Sequence, residues 1–158
     1  MIHTVGIADM KVSNRPEDII VTHSLGSCIG LALYDPVVRC GGLIHCMLPL
    51  SKIDPEKARV SPLMFTDTGV PALLQAVFDM GAERSRLIAK VAGAASVLDD
   101  KGLFKIGERN YTVLRKVLWK NNILIASEDV GGTTARTVYL HLETGRTVIK
   151  SRGQEVDL

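Results

Sequence analysis

A thiol set among small residues, with an imidazole one strand further along, is the pattern in this chain on which covalent chemistry could be built. Cys28 lies in Thr22-His23-Ser24-Leu25-Gly26-Ser27-Cys28-Ile29-Gly30, and His45 follows in Gly41-Gly42-Leu43-Ile44-His45-Cys46. Packing alone does not ask for glycines on both sides of a cysteine. Meeting a planar carbonyl group does, because glycine lets backbone and reactant approach where a side chain would obstruct. Cys28 is therefore a candidate nucleophile. A cysteine attacks as thiolate, and a free pKa of about 8.5 leaves little of that form at neutral pH unless an imidazole or oriented backbone dipoles assist. Gly26 and Gly30 leave Cys28 accessible, and amides around Gly26 and Ser27 can aim at a developing oxyanion, a contribution of roughly 3 kcal/mol per donor.

The chain has four histidines, His3, His23, His45 and His141. His45 sits on a run that can pair with the strand following Cys28, while His23, on an extended segment, points away from the face that Thr22 occupies. His45 is the better partner. The bland reading of Cys28 is core filler, since free cysteine is among the most buried residue types. Cys40 and Cys46 lack glycine surroundings on both sides and are read that way. A metal site would gather Cys28, Cys40, His45 and Cys46, but a Cys-x5-Cys spacing and adjacent His45-Cys46, whose side chains diverge on a strand, do not match structural zinc. No metal and no cofactor is expected.

The elements that must position these groups follow from periodicity and turn signals. Short β-branched runs at 2–8 and 18–23 read as strands, separated by a loop over 10–16. Apolar runs at 28–34 and 41–48, broken by Asp35-Pro36, read as a hairpin that sets Cys28 beside His45. Residues 51–62, polar with two prolines, read as a surface loop and a possible lid over the site. Thr66-Asp67-Thr68 offers caps for a helix over 70–80, where Leu73, Leu74, Val77 and Phe78 repeat at helical spacing. A second helix spans 107–120, with strands at 86–95, 123–127, 136–142 and 146–150, the last two joined by Glu143-Thr144-Gly145. Gly131-Gly132-Thr133-Thr134 lacks the pattern of a phosphate loop and reads as a plain connection. Strands outnumber helices and several connections are short, so the expected fold is α+β, a largely antiparallel layered sheet structure with helices on a face.

Composition excludes several functions. The chain has 158 residues, 46% apolar and 23% charged, the size of one domain spanning 1–158 with a true core. A formal net charge of +2 without a concentrated basic face argues against nucleic-acid binding. The opening Met1-Ile2-His3-Thr4-Val5 lacks the marks of a secretory signal, and no apolar run is long enough to insert in a membrane, so the expected compartment is the cytoplasm. An odd count of three cysteines argues against a disulfide framework.

Taken together, Gly6-Ile7-Ala8-Asp9-Met10, the Thr22-to-Gly30 segment, Gly41-Gly42-Leu43-Ile44-His45, Gly93-Ala94-Ala95, Ile106-Gly107-Glu108-Arg109-Asn110 and Gly131-Gly132 with Arg136 resemble the CheD family of chemoreceptor glutamine deamidases. The resemblance covers nearly the whole chain. It implies a β-sandwich layered against helices, similar to a cytotoxic deamidase toxin, and a Cys-His-Thr catalytic set whose matching positions are Cys28, His45 and Thr22. It implies hydrolysis of glutamine side-chain amides on methyl-accepting chemotaxis receptors, with glutamyl methyl ester hydrolysis in some members. A CheC-type phosphatase is the second partner it implies. The competing reading is a non-catalytic regulator of that phosphatase, which the loss or survival of activity in Cys28→Ala would separate from an enzyme.

Overall fold

Two five-stranded sheets and a layer of helices account for the described residues, which in this computed structural model are 1–96 and 105–158. The first sheet runs in the order β1 (Ile2–Val5), β3 (Ile19–Leu25), β8 (Arg136–His141), β9 (Thr147–Ser151), β10 (Gln154–Asp157). The second runs β2 (Asp9–Ser13), β5 (Cys40–Cys46), β4 (Ile29–Asp35), β6 (Ile88–Gly93), β7 (Ile125–Val130). Pairings are antiparallel except β1 with β3 and β6 with β7, one parallel pair at an edge of each sheet. Both sheets are therefore mixed, and the expected α+β layering is present with that qualification.

The strict alternation of a strand explains why the second sheet lies in the middle. Along β4, Ile29, Leu31 and Leu33 face α2 (Thr66–Asp79) and α3 (Ile106–Lys120), where they meet Val70, Leu73, Val77, Leu114 and Leu118. The alternate residues Ala32 and Tyr34 face the first sheet, where they join Val5, Ile20, Val138, Leu140 and Ile149. Burial on both faces is why β4 and β5 are buried at every position. Each fully buried Leu or Ile contributes roughly 1.5–3 kcal/mol, so these two apolar layers are the main stabilising term. The Tyr34 hydroxyl crosses the inter-sheet layer and donates to the Leu142 carbonyl at 2.8 Å. At the far end of β4 the buried Asp35 carboxylate accepts from Arg86 and from the amides of Val37 and Glu83. Burial alone would raise its pKa, but these donors hold it below the usual carboxylate value.

Several local expectations are corrected. Of the stretch 10–16, read as a loop, residues 10–13 belong to β2, because five successive residues pair with β5 from Asp9↔His45 to Ser13↔Gly41. Residues 51–62 are not an irregular loop: α1 (Pro55–Val60) is flanked by turns of 3-10 helix at Ser51–Ile53 and Pro62–Met64. Thr66, Asp67 and Thr68 do not cap α2, which starts at Thr66 itself. Their side chains turn back instead, Asp67 accepting from Ser51, Thr66 donating to the Leu48 carbonyl and Thr68 to that of Pro62. They close the base of the 48–65 excursion, where Leu48 and Phe65 form a bridge. The strand β10 escaped the sequence reading because its residues are all exposed and carry no buried alternation.

β6 ends at Gly93 in a left-handed conformation, φ +107°, with the space beside its Cα occupied by the Cys28 carbonyl oxygen. A methyl group there faces both a disfavoured φ and a steric conflict. Gly93→Ala is expected to lower stability by at least about 1–3 kcal/mol, read as a fall in the urea midpoint at unchanged m-value.

Candidate active site

The site lies in the inter-sheet layer, with Thr22 and His45 buried and Cys28 half-buried. Thr22 stands on β3 with the inward parity of Ile20 and pairs with Val5 on β1 and Val138 on β8. His45 stands on β5 with the parity of Leu43, so its ring enters the same layer from the opposite sheet. Both are buried. The Thr22 Oγ1 atom lies 2.7 Å from His45 Nδ1 and 2.9 Å from the Val5 carbonyl oxygen. A hydroxyl has one proton, and the carbonyl can only accept, so that proton goes to Val5. Thr22 must then accept from His45, which assigns the proton of the neutral ring to Nδ1 and leaves the Nε2 lone pair free. That Nε2 is buried and makes no hydrogen bond among the described residues.

Cys28 immediately precedes β4, on the side of Gly30, and Gly30 is the residue directly opposite His45. Its side chain is half-buried and packs against the inter-sheet cluster, not into the helix-facing core. Thiol and imidazole thus share a face, one diagonal step apart on adjacent antiparallel strands, a separation that side chains of this kind span. Gly30 has a different role from the one expected of it: the Leu25 side chain fills the space beside its Cα. Leu25 turns inward because β3 shifts register between Thr22 and Leu25, with Ser24 at φ 58°.

The turn itself is tied down by its carbonyls. Gly26 O accepts from Ala95 N at 2.9 Å, Cys28 O from Ala94 N at 2.8 Å, and Ser27 O from Asn110 Nδ2 at 3.0 Å. In a planar trans peptide the C=O and the following N–H point in opposite directions. Holding the carbonyls of Gly26 and Ser27 therefore turns the amides of Ser27 and Cys28 the other way. Arg136 steadies the neighbouring segment, its guanidinium donating to Gly93 O at 3.0 Å and to Gly131 O at 2.7 Å. This explains Gly131-Gly132 as a pinned connection.

Electrostatically the site rests neutral. Burial depresses the His45 ring from its ordinary 6.5 to about 4 and pushes the Cys28 thiol up. With both groups neutral at rest, an attack by this thiol would have to be accompanied by removal of its proton. The other predicted groups fall elsewhere. His23 is exposed on the outer face of the first sheet against Tyr139, with ring centroids 6.4 Å apart. His3 bonds the Asp18 carboxylate at 2.9 Å. Cys40 and Cys46 start and end β5, six residues and about 20 Å apart, too far to share one metal ion. Asn110 is a site residue that sequence reasoning passed over as part of a helix. Its signal was an amide at a position of α3 that is otherwise apolar and buried.

Residues 47–151 match the family described as CheD chemotactic sensory transduction. A protein of Solibacter usitatus called probable chemoreceptor glutamine deamidase CheD is 51% identical over 154 residues, covering 98% of this chain and 91% of its own. The chain belongs to the CheD family. Proteins called probable chemoreceptor glutamine deamidase CheD 1, from Syntrophus aciditrophicus, and CheD 2, from Anaeromyxobacter dehalogenans, are 51% and 42% identical, covering 94% and 98% of this chain and 93% and 98% of theirs. Among solved structures, Bacillus licheniformis hypothetical protein YfiH aligns with TM-score 0.49 at 14% identity, over 79% of this chain and 50% of its own.

Two pH experiments read the neutral pair. Alkylation of Cys28 by iodoacetamide, which reports thiolate, is expected to stay slow through neutrality and rise only in the alkaline range; a plateau reached by pH about 5 would mean a standing ion pair. Stability is expected to fall as pH drops from 6.5 toward 4, because there the unfolded chain protonates His45 and the folded one does not. An acid midpoint unmoved in His45→Gln would contradict that assignment.

Proposed function

We propose that this CheD protein hydrolyses glutamine side-chain amides of methyl-accepting chemotaxis receptors to glutamate, with Cys28 as nucleophile. The observation that carries the reading is the Thr22 hydroxyl, whose proton is committed to Val5 O, so that a buried, neutral His45, on the same sheet face as Cys28, keeps an unprotonated and unpartnered Nε2. The names of the relatives, chemoreceptor glutamine deamidases, support the substrate class.

The Cys28 thiol attacks the amide carbon of glutamine while its proton passes to His45 Nε2. The carbonyl π pair moves to oxygen, and the amides of Ser27 and Cys28 hold the resulting oxyanion, with Gly26 and Ser27 supplying the turn. His45 returns the proton to the nitrogen, the C–N bond breaks, and ammonia leaves a thioester. Water then attacks, giving its proton to His45. The C–S bond breaks, the thiolate takes the proton back, and glutamate is released. Each use of His45 makes a transient imidazolium, and Nδ1–H donating to Thr22 keeps the ring oriented throughout. A hydroxyl carries no charge, so it stabilises that cation less than a carboxylate would. A glutamyl methyl ester fits the same sequence, with methanol leaving in place of ammonia. We also assign the protein to the cytoplasm, where receptor signalling helices are reached, with a CheC-type phosphatase as a second partner. No described helix is long and apolar enough to cross a membrane.

Treatment of a receptor fragment is expected to release ammonia and to exchange NH for O at each modified glutamine, as seen by mass spectrometry. In Cys28→Ala both signals vanish; if they persist, Cys28 is not the nucleophile, and chain cleavage in place of the exchange would indicate a protease. Thr22→Val, which removes the hydroxyl at nearly constant shape, is expected to lower kcat about 10- to 100-fold with the fold retained, less than Cys28→Ala. An unchanged kcat in that variant would remove Thr22 from the mechanism.

A further inference from the structure

We propose that Asn110 is a positioning residue that sets the plane of the Ser27–Cys28 peptide, and so aims the Cys28 amide at the oxyanion. The inference rests on the deamidase reading above and assigns a role to a residue outside the Cys-His-Thr set.

Asn110 is fully buried. Its side chain has three partners: Ser27 O at 3.0 Å, Met47 O at 3.1 Å and Thr66 Oγ1 at 3.2 Å. Two of these are carbonyl oxygens that can only accept, so the NH2 end must face both, one N–H each. That leaves Oδ1 to accept from the Thr66 hydroxyl, whose single proton it shares with the Leu48 carbonyl at 3.1 Å. Each polar atom of the amide is thereby used, and in a buried site a misoriented or missing group would leave carbonyls unpaired.

The partners belong to the two segments whose spacing decides the reaction. Ser27 is the residue before the nucleophile, and its carbonyl shares a planar peptide with the Cys28 N–H. Met47 lies two residues beyond His45, immediately after the end of β5. One amide therefore fixes both the direction of the Cys28 N–H and the separation of the thiol strand from the imidazole strand. α3 can bring Asn110 there because Gly107, one turn earlier, lies directly on the Ala94–Ala95 backbone, where a Cβ would stand 2.7 Å from Ala94 atoms. The same Ala94 and Ala95 amides hold the carbonyls of Cys28 and Gly26, so the helix seat and the nucleophile turn share one support.

A residue that only fills space would tolerate an isosteric change, whereas one that donates two hydrogen bonds would not. Asn110→Asp keeps the shape and removes both donors; its buried carboxyl facing two carbonyl oxygens titrates well above the ordinary range, and on protonation regains one donor. We expect kcat for a glutamine-bearing receptor fragment to fall about 10- to 100-fold near pH 8 with KM within about twofold, and the deficit, taken as the ratio to the parent measured at each pH, to narrow as pH drops to about 5.5. An undiminished kcat, or a deficit constant across that range, overturns the proposal. If Asn110→Asp gives no cooperative unfolding transition, Thr66→Val decides: a loss of about 3- to 10-fold in kcat supports the clamp and parent-level kcat overturns it. Absence of ammonia release by the parent protein would instead sink the deamidase reading. The clamp is then read by iodoacetamide alone: alkylation of Cys28 at least about threefold faster in the folded variant than in the parent supports it, and an equal rate overturns it.

Discussion

One hydroxyl proton fixes the arrangement of the buried polar pair between the two sheets. Thr22 belongs to one sheet and His45 to the other, and the 2.7 Å contact between them closes the sandwich at its polar end. Because the Thr22 proton is spent on the Val5 carbonyl at 2.9 Å, the imidazole has no choice of tautomer. A buried ring that cannot readily charge, and whose free nitrogen is fixed, suits the role of base proposed for it. Every other feature of the site depends on the two sheets staying in register so that this contact survives.

The layers supply that register. The residues of β4 and β5 face alternately toward the helices and toward the first sheet, so a one-residue slip of β5 would carry His45 into the apolar helix-facing layer and Ile44 to its place. The large aliphatic clusters on both faces oppose such a slip far more strongly than one hydrogen bond could. Precision at the site is therefore borrowed from packing. The nucleophile turn is the exception, since the residues before β4 have no strand partner. Its three carbonyls are held by Ala94, Ala95 and Asn110, groups from the end of β6 and from α3.

The site also shows how burial and reactivity are traded. A half-buried thiol and a buried imidazole both resist charging, so in the proposed reaction the proton transfer falls to the moment of attack. The chain belongs to the CheD family, and a relative aligns over 98% of it.

What residue types and spacing determined by themselves was the candidate pair and most of the elements around it. The glycine-flanked Cys28, the hairpin to His45, both long helices and the turn at Glu143-Thr144-Gly145 were legible because each is written in local periodicity or turn chemistry. Three things were decided only in tertiary structure. β2 and β10 form because a partner strand is present, their own residues carrying little buried alternation. Thr66 to Thr68 abandon their caps because the base of the 48–65 excursion offers better acceptors and donors. The direction of the His45 proton and the role of Asn110 rest on contacts between residues 23 and 83 positions apart, which no local pattern encodes. Sequence names which groups exist; their protonation and aim are properties of the neighbours that folding brings to them.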